Sequence, residues 1–250
     1  MEGAFLKDDE TLDTIFNGKL KIIQKRHGYR FSIDAILLPG FLTSQEGETG
    51  VDLGTGSGII PLILASKTRV KRIFGIEIQE DLAEMARRSV TLNHLEDRIS
   101  IIHEDMKNLE GIFDPESIDW VTSNPPYYRM RSGRINPNLQ KAIARHEIKG
   151  SLQDVINTSR YLLKPMGRIA LIYSVERLAD LFYWLRTYNL EPKRLRLVYS
   201  DSLSHAKFLL IEAIKEGGTE LRIERPLYIY NQNGGYSPEI EAFYNSCIGL

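Results

Sequence analysis

The stretch VDLGTGSG at residues 51–58, followed by the apolar run IIPLIL at residues 59–64, decides the fold. An apolar strand that ends in an acid, Asp52, leads into three alternating glycines and then into a helix with an early proline. This order is typical of the first strand-to-helix turn of a nucleotide-binding α/β sheet. Glycines without a Cβ allow a ligand to approach the backbone closely. The sequence therefore predicts a ligand site at the carboxyl end of the first sheet strand.

The spacing of the glycines limits the kind of ligand. The pattern is G-x-G-x-G, and Ile59 stands where the dinucleotide pattern G-x-G-x-x-G has its last glycine. The phosphate-binding pattern G-x-x-x-x-G-K-[ST] does not occur in the chain. Glu77 ends the next apolar run, where an acid can bind both hydroxyls of a ribose. A ribose without a pyrophosphate indicates an S-adenosyl cofactor.

Two further strand ends extend this pattern. The run at residues 99–103 is followed by Asp105, placed to bind the amino group of an adenine. The run at residues 118–123 is followed by Asn-Pro-Pro-Tyr at residues 124–127. Two prolines fix φ and remove N–H groups, so this loop would hold the Asn124 amide rigidly at the open end of the sheet, with Tyr127 as a stacking surface. An isolated Asn-Pro-Pro is more often only a stiff loop, but the upstream glycines favour a functional one.

With these motifs in this order, the chain resembles the class I S-adenosylmethionine-dependent methyltransferases from about Gly28 to Ile214. Asn-Pro-Pro-Tyr resembles the branch that methylates N6 of adenine or the side-chain nitrogen of glutamine. The resemblance implies four catalytic residues, which are Asn124, Pro125, Pro126 and Tyr127. The expected cofactor-binding residues are Asp52, Gly54, Thr55, Gly56, Gly58, Glu77, Ile78, Asp105, Met106 and Asn124.

The lid segment, GYRFSIDAILL at residues 28–38, narrows the resemblance. Together with Gln24, it looks like the corresponding segment of bacterial adenine N6-methyltransferases that act on valine tRNA. That resemblance implies that Asp34 begins a lid helix and that four residues close over the cofactor, namely Tyr29, Arg30, Phe31 and Ser32. The segment also fits a short amphipathic helix that covers the sheet, and both roles can hold together. Glutamine-methylating relatives usually carry a larger helical N-terminal part, which this chain does not predict.

The chemistry of amino methylation explains why an asparagine suits position 124. The nitrogen of an adenine amino group or an amide is a poor nucleophile because its lone pair is delocalised. Acceptors aimed at its two N–H bonds favour the more tetrahedral geometry that attack requires. We predict that the Asn124 side-chain oxygen and the Pro125 carbonyl are these acceptors, and that Tyr127 stacks on the planar substrate. No strong general base is then needed.

Length and composition fit one elaborated domain. With 250 residues, 42% apolar and 26% charged, the chain can bury a sizeable core. We predict a single methyltransferase domain, with residues 1–30 as a hairpin appendage and 31–250 as the catalytic core. The lone Cys247 excludes an intramolecular disulfide and fits a reducing cytosol. Without a signal-like start or a long apolar run, we expect a cytoplasmic protein with no membrane contact.

Local charge patterns point to a nucleic acid partner, although the net charge of −1 does not. One basic cluster follows the proposed catalytic loop and contains Arg129, Arg131, Arg134, Lys141, Arg145 and Lys149. A second extends from Lys19 to Arg30 and also contains Lys21, Lys25 and Arg26. Basic side chains beside a base-sized pocket are placed to contact phosphates, so we predict RNA, and tRNA in particular, as the partner. The alternative is a solvated face balanced by acids elsewhere.

The order of apolar runs predicts an α/β fold with a seven-stranded, mostly parallel Rossmann-like sheet, helices on both faces and a small N-terminal hairpin closed by Asn17-Gly18. The last strand follows the sixth directly and should be antiparallel. The predicted strands are 49–53, 72–77, 99–103, 118–123, 168–173, 193–199 and 206–214. No metal is expected, because the five histidines lack ligand spacing. Two other functions remain open: a release-factor glutamine methyltransferase and a cofactor-binding RNA-binding module without transfer activity.

Overall fold

The computed structural model describes residues 6–28, 30–125 and 150–245. Its strands are β1 (Glu10–Ile15), β2 (Leu20–Lys25), β3 (Thr49–Leu53), β4 (Arg72–Glu77), β5 (Ile99–His103), β6 (Ile118–Ser123), β7 (Leu163–Ser174), β8 (Leu190–Tyr199), β9 (Ala206–Lys215), β10 (Arg222–Ile223) and β11 (Leu227–Tyr228). Its α-helices are α1 (Ile33–Phe41), α2 (Ile59–Lys67), α3 (Glu80–Leu92), α4 (Leu152–Leu162), α5 (Leu178–Thr187) and α6 (Pro238–Asn245). Short 3-10 helices cover Met106–Gly111 and Val175–Arg177.

The main sheet contains all seven predicted strands in the order β5-β4-β3-β6-β7-β9-β8. Neighbours from β5 to β7 are parallel, and β9 is antiparallel to both β7 and β8. The last long strand therefore lies inside the sheet. Its run Leu209-Leu210-Ile211 is buried, as expected for a strand covered on both faces. The predicted mostly parallel α/β fold with an antiparallel last strand is confirmed.

The predicted count of seven strands is too low, because the sheet has nine strands within the described residues. The two-residue strands β10 and β11 both pair in parallel with β8 at the sheet edge. We expected residues 215–235 to form an exposed edge or hairpin. Strands of two residues show no alternation of polar and apolar side chains, so a sequence pattern does not reveal them.

Helices cover both faces of the sheet. Alternate residues of β7 point to opposite faces, because the side-chain period of a strand is two. Ile172 packs in a core cluster with residues of α1, α2 and α3, whereas Leu171 packs in a second cluster with residues of α4 and α5. Each face of the sheet therefore has its own apolar core. The carboxyl ends of the strands lie between these two cores, and polar site residues can gather there.

The N-terminal hairpin β1–β2 is docked on α3. The residues at its tip, Asn17 and Gly18, have φ values of 56° and 83°, as a type I′ turn requires. The Ile23 N–H donates to Ser89 Oγ over 3.0 Å. The Glu10 carboxylate, 1% exposed, accepts from the Arg88 guanidinium through both oxygens, at 2.7 and 2.8 Å. The hairpin is thus tied to α3 by a largely buried ion pair, and its status as an appendage separate from residues 31–250 stays a prediction.

Candidate active site

The glycine turn after β3 is the centre of the site. The N–H groups of Gly54 and Thr55 both donate to the Ile76 carbonyl at the end of β4, each over 2.9 Å. Gly54 has a φ of 73°, and a Cβ added there would meet no atom within 4 Å. The glycine is therefore required by the backbone conformation and not by crowding. The turn presents open backbone, which lets a ligand approach closely.

Glu77 braces this turn from the end of β4. One carboxylate oxygen accepts from the Gly56 N–H and the other from the Gln79 N–H, each over 2.9 Å. The side chain is 5% exposed. Burial raises the pKa of Glu77 above its ordinary value, and the backbone hydrogen bonds from Gln79 and Gly56 oppose that shift. The carboxylate is thus held rigidly at the edge of the sheet, where the sequence predicted a ribose ligand.

Asp52, at the end of β3, is the second buried acid of the site. Its side chain is fully buried, and Oδ1 accepts from Thr122 Oγ1 over 2.8 Å. Burial raises the pKa of Asp52 to about 7. Six buried side-chain polar atoms have no hydrogen-bond partner in the described part of the chain, and three of the six cluster at the glycine turn and the strand end before it: Asp52 Oδ2, Thr55 Oγ1 and Ser57 Oγ. Because buried polar atoms are nearly always paired, they indicate a polar ligand at this turn.

Asn124 lies beside the glycine turn through the pairing of β6 with β3. Ser123 pairs with Leu53, and its hydroxyl donates to the Leu53 carbonyl over 2.7 Å. Asn124 follows directly and is half-buried, and Pro125 is buried. The Asn124 Nδ2 donates to Asp34 Oδ2 over 2.9 Å. The structure thus brings Asn124 and Pro125 to the expected edge, whereas Pro126 and Tyr127 lie outside the described residues.

The predicted adenine-side residues follow β5, which pairs with β4 so that His103 lies opposite Glu77. The Asp105 carboxylate accepts from the Lys107 N–H over 3.0 Å and so caps the 3-10 helix that begins at Met106. His103 Nε2 contacts the Ile78 carbonyl at 3.2 Å. Asp105, Ile78 and Met106 are therefore near Glu77 in the fold, and their contact with a cofactor remains a prediction.

The lid segment is fastened to the hairpin. The Phe31 N–H donates to Gln24 Oε1 over 3.0 Å. The Arg30 guanidinium donates to Asp13, and also to Thr11 Oγ1 over 3.0 Å. The structure therefore directs Arg30 towards the hairpin, while Tyr29 lies outside the described residues. Sequence reasoning did not identify Gln24 as the residue that anchors this segment, although it noted Gln24 in the motif.

Only one of the two predicted phosphate-binding clusters lies within the described residues. In the second cluster, Lys25 pairs with Asp9 at 2.8 Å and Arg30 pairs with Asp13. Part of its positive charge is therefore balanced within the hairpin. The first cluster, from Arg129 to Lys149, lies outside the described residues. Over residues 6–28, 30–125 and 150–245, no group of three or more potential ligands that could hold a metal is found, and no helix is long and apolar enough to cross a membrane.

Comparisons with known proteins agree with this geometry. Residues 32–176 match the model of the methyltransferase small domain. The chain belongs to this family. The methyltransferase is 35% identical over 207 residues to the "tRNA1(Val) (adenine(37)-N6)-methyltransferase" of Porphyromonas gingivalis W83. The matched region covers 78% of this chain and 79% of that protein. It is 29% identical over 228 residues to the protein of the same name from Shewanella halifaxensis, with 85% and 89% covered.

Solved structures show the same fold at lower identity. The crystal structure of a predicted O-methyltransferase from Agrobacterium tumefaciens superposes with a TM-score of 0.71 at 21% identity, covering 87% of this chain and 98% of that one. TrmN from Thermus thermophilus gives 0.52 at 20% identity, with 72% and 48% covered. These likenesses concern the fold alone. The predicted fold, methyltransferase activity and cofactor are confirmed by the family.

S-adenosylmethionine fits the residues present in the site. It supplies a methyl group on a positively charged sulfonium, together with a ribose and an adenine. Glu77 is held where its carboxylate can bind ribose hydroxyls, and Asp52 offers a buried carboxylate oxygen without an internal partner. Two acids at the same edge of the sheet suit a cationic ligand, because a nearby positive charge favours the ionised forms of both carboxyl groups. The individual contacts remain predictions.

Proposed function

We propose that this methyltransferase transfers a methyl group from S-adenosylmethionine to N6 of an adenine in tRNA, with valine tRNA as the first candidate. The observation that carries the proposal is the position of Asn124, held beside the glycine turn by the β3–β6 pairing and by its hydrogen bond to Asp34. A side-chain amide at this place can accept a hydrogen bond from the nitrogen that receives the methyl group. The names of the relatives, matched over most of this chain, support adenine in tRNA as the acceptor.

The residues of the loop would activate the acceptor by geometry. The Asn124 side-chain oxygen and the Pro125 carbonyl accept the two N–H groups of the adenine amino group, which favours a more tetrahedral nitrogen with its lone pair localised for attack. Bound S-adenosylmethionine would supply the methyl group to this nitrogen, and its sulfur would take the electron pair of the carbon–sulfur bond that breaks. The methylated nitrogen loses one proton to water. Since the positively charged product nitrogen is strongly acidic, Asn124 need not act as a base.

Most of this contribution is positioning. Holding nitrogen, methyl carbon and sulfur in line converts a bimolecular step into one with a high effective concentration. Tyr127 would stack on the adenine and hold its plane. An adenine in the anticodon loop is accessible without the cost of opening a stem. A tRNA acceptor would also place the reaction in the cytoplasm.

Phosphate contacts are assigned first to the cluster that follows the catalytic loop. Arg129, Arg131 and Arg134 lie within ten residues of Asn124 in the sequence. By contrast, Lys25 and Arg30 of the hairpin have internal acid partners. Replacing the three loop arginines by alanine should weaken tRNA binding, leave S-adenosylmethionine affinity nearly unchanged, and flatten the slope of log K against log salt by about two units or more, at roughly 0.7–0.9 per phosphate contact.

A salt titration against a valine tRNA transcript tests this assignment. The matched control is a triple alanine variant of Arg69, Arg186 and Lys193, cations near the opposite, amino edge of the sheet: Arg69 follows α2, Arg186 lies in the last turn of α5 and Lys193 near the start of β8. This control should keep the wild-type slope. Identical slopes for all three proteins would remove nucleic acid from the proposal.

The acceptor itself is tested with labelled S-adenosylmethionine and four substrates: total tRNA, ribosomal RNA, DNA and release factors. We expect label in tRNA, at N6 of adenine after digestion. Label only in a release factor would favour the glutamine methyltransferase. Binding of both cofactor and tRNA without transfer to any substrate would identify the non-catalytic module.

A further inference from the structure

We propose that Asp34 is a positioning residue of the transfer reaction, which sets the orientation of the Asn124 side-chain amide. The choice of adenine as acceptor rests on the proposed function. The contact between the two side chains does not, because both residues belong to this chain and their hydrogen bond involves no substrate atom. Asp34 and Asn124 are 90 residues apart in the sequence and meet across the boundary between α1 and the end of β6.

The Asp34 carboxylate is buried and fixed from two sides. Its exposed fraction is 6%. Oδ2 accepts from Asn124 Nδ2 over 2.9 Å, and Oδ1 accepts from the Ser32 hydroxyl. Asp34 also lies in the first turn of α1, where the helix dipole favours a negative charge. Two hydrogen bonds and the position at the helix terminus together hold the carboxylate in one place.

Ser32 provides an independent indication that this arrangement is specific. Serine at the N-cap position normally accepts from an N–H group of the first helical turn. Ser32 is the N-cap of α1 and makes no such bond with its side chain. Its hydroxyl donates instead to Asp34. Ser32 therefore does not cap the helix with its side chain but holds the carboxylate that faces Asn124.

The chemistry of the pair determines which way the amide points. An ionised carboxylate only accepts hydrogen bonds, whereas an asparagine amide has a donor on one side and an acceptor on the other. Asn124 must therefore turn Nδ2 towards Asp34 and Oδ1 away from it. The flipped amide would bring Oδ1 against the carboxylate oxygen, which is repulsive. Asp34 thus selects the orientation in which Oδ1 points away from the carboxylate, as the proposed acceptor role for the substrate N–H requires.

The lid segment that contains Asp34 is hydrogen-bonded to the N-terminal hairpin. Gln24, 2% exposed, accepts from the Phe31 N–H over 3.0 Å and donates to Asp13 over 2.6 Å. Phe31 precedes α1 by two residues. The hairpin therefore fixes the start of the helix from which Asp34 reaches Asn124. A catalytic amide at the sheet edge is thereby oriented by residues from the N-terminal part of the chain.

A double-mutant cycle tests the proposal. Asp34→Ala should lower kcat by about 10- to 100-fold, since a misplaced reacting group costs rate in that range. In an Asn124→Ala background, the same substitution should cost less than about 2-fold more, because there is no amide left to orient. Asp34→Asn offers both a donor and an acceptor, so it permits both amide orientations and should give an intermediate loss. The dissociation constant for S-adenosylmethionine should change by less than about 3-fold.

The control is Asp180→Ala, which removes an acid from the first turn of α5. It should keep the wild-type kcat. If Asp34→Ala lowered kcat by the same factor with and without Asn124, its effect would be structural and the proposal would be overturned. Wild-type kcat in Asp34→Ala would overturn it as well.

A substrate-independent measurement separates this proposal from the proposed function. In nitrogen-15 correlation spectra of the cofactor-bound protein, the Asn124 side-chain amide is identified by its loss in Asn124→Ala. Asp34→Ala should move that amide proton upfield and speed its exchange with water, as expected for a lost charge-assisted hydrogen bond. An unchanged signal would refute the contact. If tRNA is not methylated by the wild type, the kinetic cycle is run on whichever of the DNA or release-factor substrates is methylated, and the spectral result stands by itself.

Discussion

The carboxylate of Glu77, at the end of β4, accepts a hydrogen bond of 2.9 Å from the backbone N–H of Gly56 in the glycine turn after β3. An acid on one strand thereby shapes the ligand-binding turn of its neighbour. A second backbone bond, from the Gln79 N–H, holds the other oxygen. The two parts of the predicted cofactor site are therefore joined by hydrogen bonds into one unit.

Glu77→Ala should weaken S-adenosylmethionine binding by roughly 1.5–3 kcal/mol, through loss of charge-assisted bonds to the ribose and of the brace on the turn. Isothermal titration calorimetry measures the effect. The control is Glu80→Ala, which removes an exposed acid at the start of α3 and should bind normally. Wild-type protein that bound NAD but neither S-adenosylmethionine nor its homocysteine product would refute the cofactor site.

Asn124→Ala should lower methyl transfer by at least about 100-fold, in the range for removal of a preorganised polar contact. Cofactor affinity should change much less, because the amide acts on the acceptor nitrogen at the transition state. Single-turnover kinetics and calorimetry on the same protein separate the two effects. Equal losses in both would mean that Asn124 serves the cofactor.

Asp52→Asn should stabilise the cofactor-free protein at neutral and higher pH. The pKa of Asp52 is about 7 in the folded protein, against about 4 in an unfolded chain. Between these values the folded state binds more protons than the unfolded state, so the free energy of unfolding falls as the pH rises. The stability gain of the variant should therefore grow from about pH 4 to about pH 7, to roughly 2–4 kcal/mol, and then level off.

Urea unfolding of both proteins at a series of pH values measures this difference. The exposed Asp97 gives the control variant Asp97→Asn, for which no comparable pH-dependent gain is expected. The same Asp52 variant should bind S-adenosylmethionine more weakly. A gain that is constant with pH would show that Asp52 is not the titrating group.

Glu10→Gln should destabilise the protein in the opposite pH direction. Burial alone would raise the pKa of Glu10, but the Arg88 guanidinium and the Lys7 N–H outweigh it and lower the pKa to about 2. The contribution of this pair is complete above about pH 4.5 and is lost as the pH falls towards 2. We expect a loss of roughly 2–4 kcal/mol at pH 7 that shrinks in that window.

Chemical denaturation between about pH 3 and pH 7 measures the loss. Asp9→Asn removes an acid next to β1 that is 61% exposed, and it should change the free energy of unfolding much less than Glu10→Gln does. If the two variants were equally destabilised, the docking of the hairpin on α3 would not depend on the buried Glu10–Arg88 pair.

Much of the sheet could be predicted from the sequence because its strands are continuous apolar runs, and such runs are long enough to be unambiguous. The start of β7 could not be predicted in this way. The segment Lys164 to Gly167 contains proline and glycine and resembles a turn, yet β7 begins at Leu163, with a register shift in its pairing with β6. Leu163 pairs with Ile118 and the pairing resumes at Arg168, so residues 164–167 form a bulge in which Met166 has a φ of 63°, as the turn-like sequence favours.

The sequence by itself determined the glycine turn, the acids that end successive strands and the Asn-Pro-Pro-Tyr loop, because each depends on residues close together in the chain. Only the tertiary structure decided what the polar side chains bind. Asp34 meets Asn124, Glu10 meets Arg88, and the hairpin cations Lys25 and Arg30 meet acids of their own hairpin. Hydrophobic periodicity specifies which face of an element is buried, whereas the partner of a buried polar group depends on how distant elements pack together.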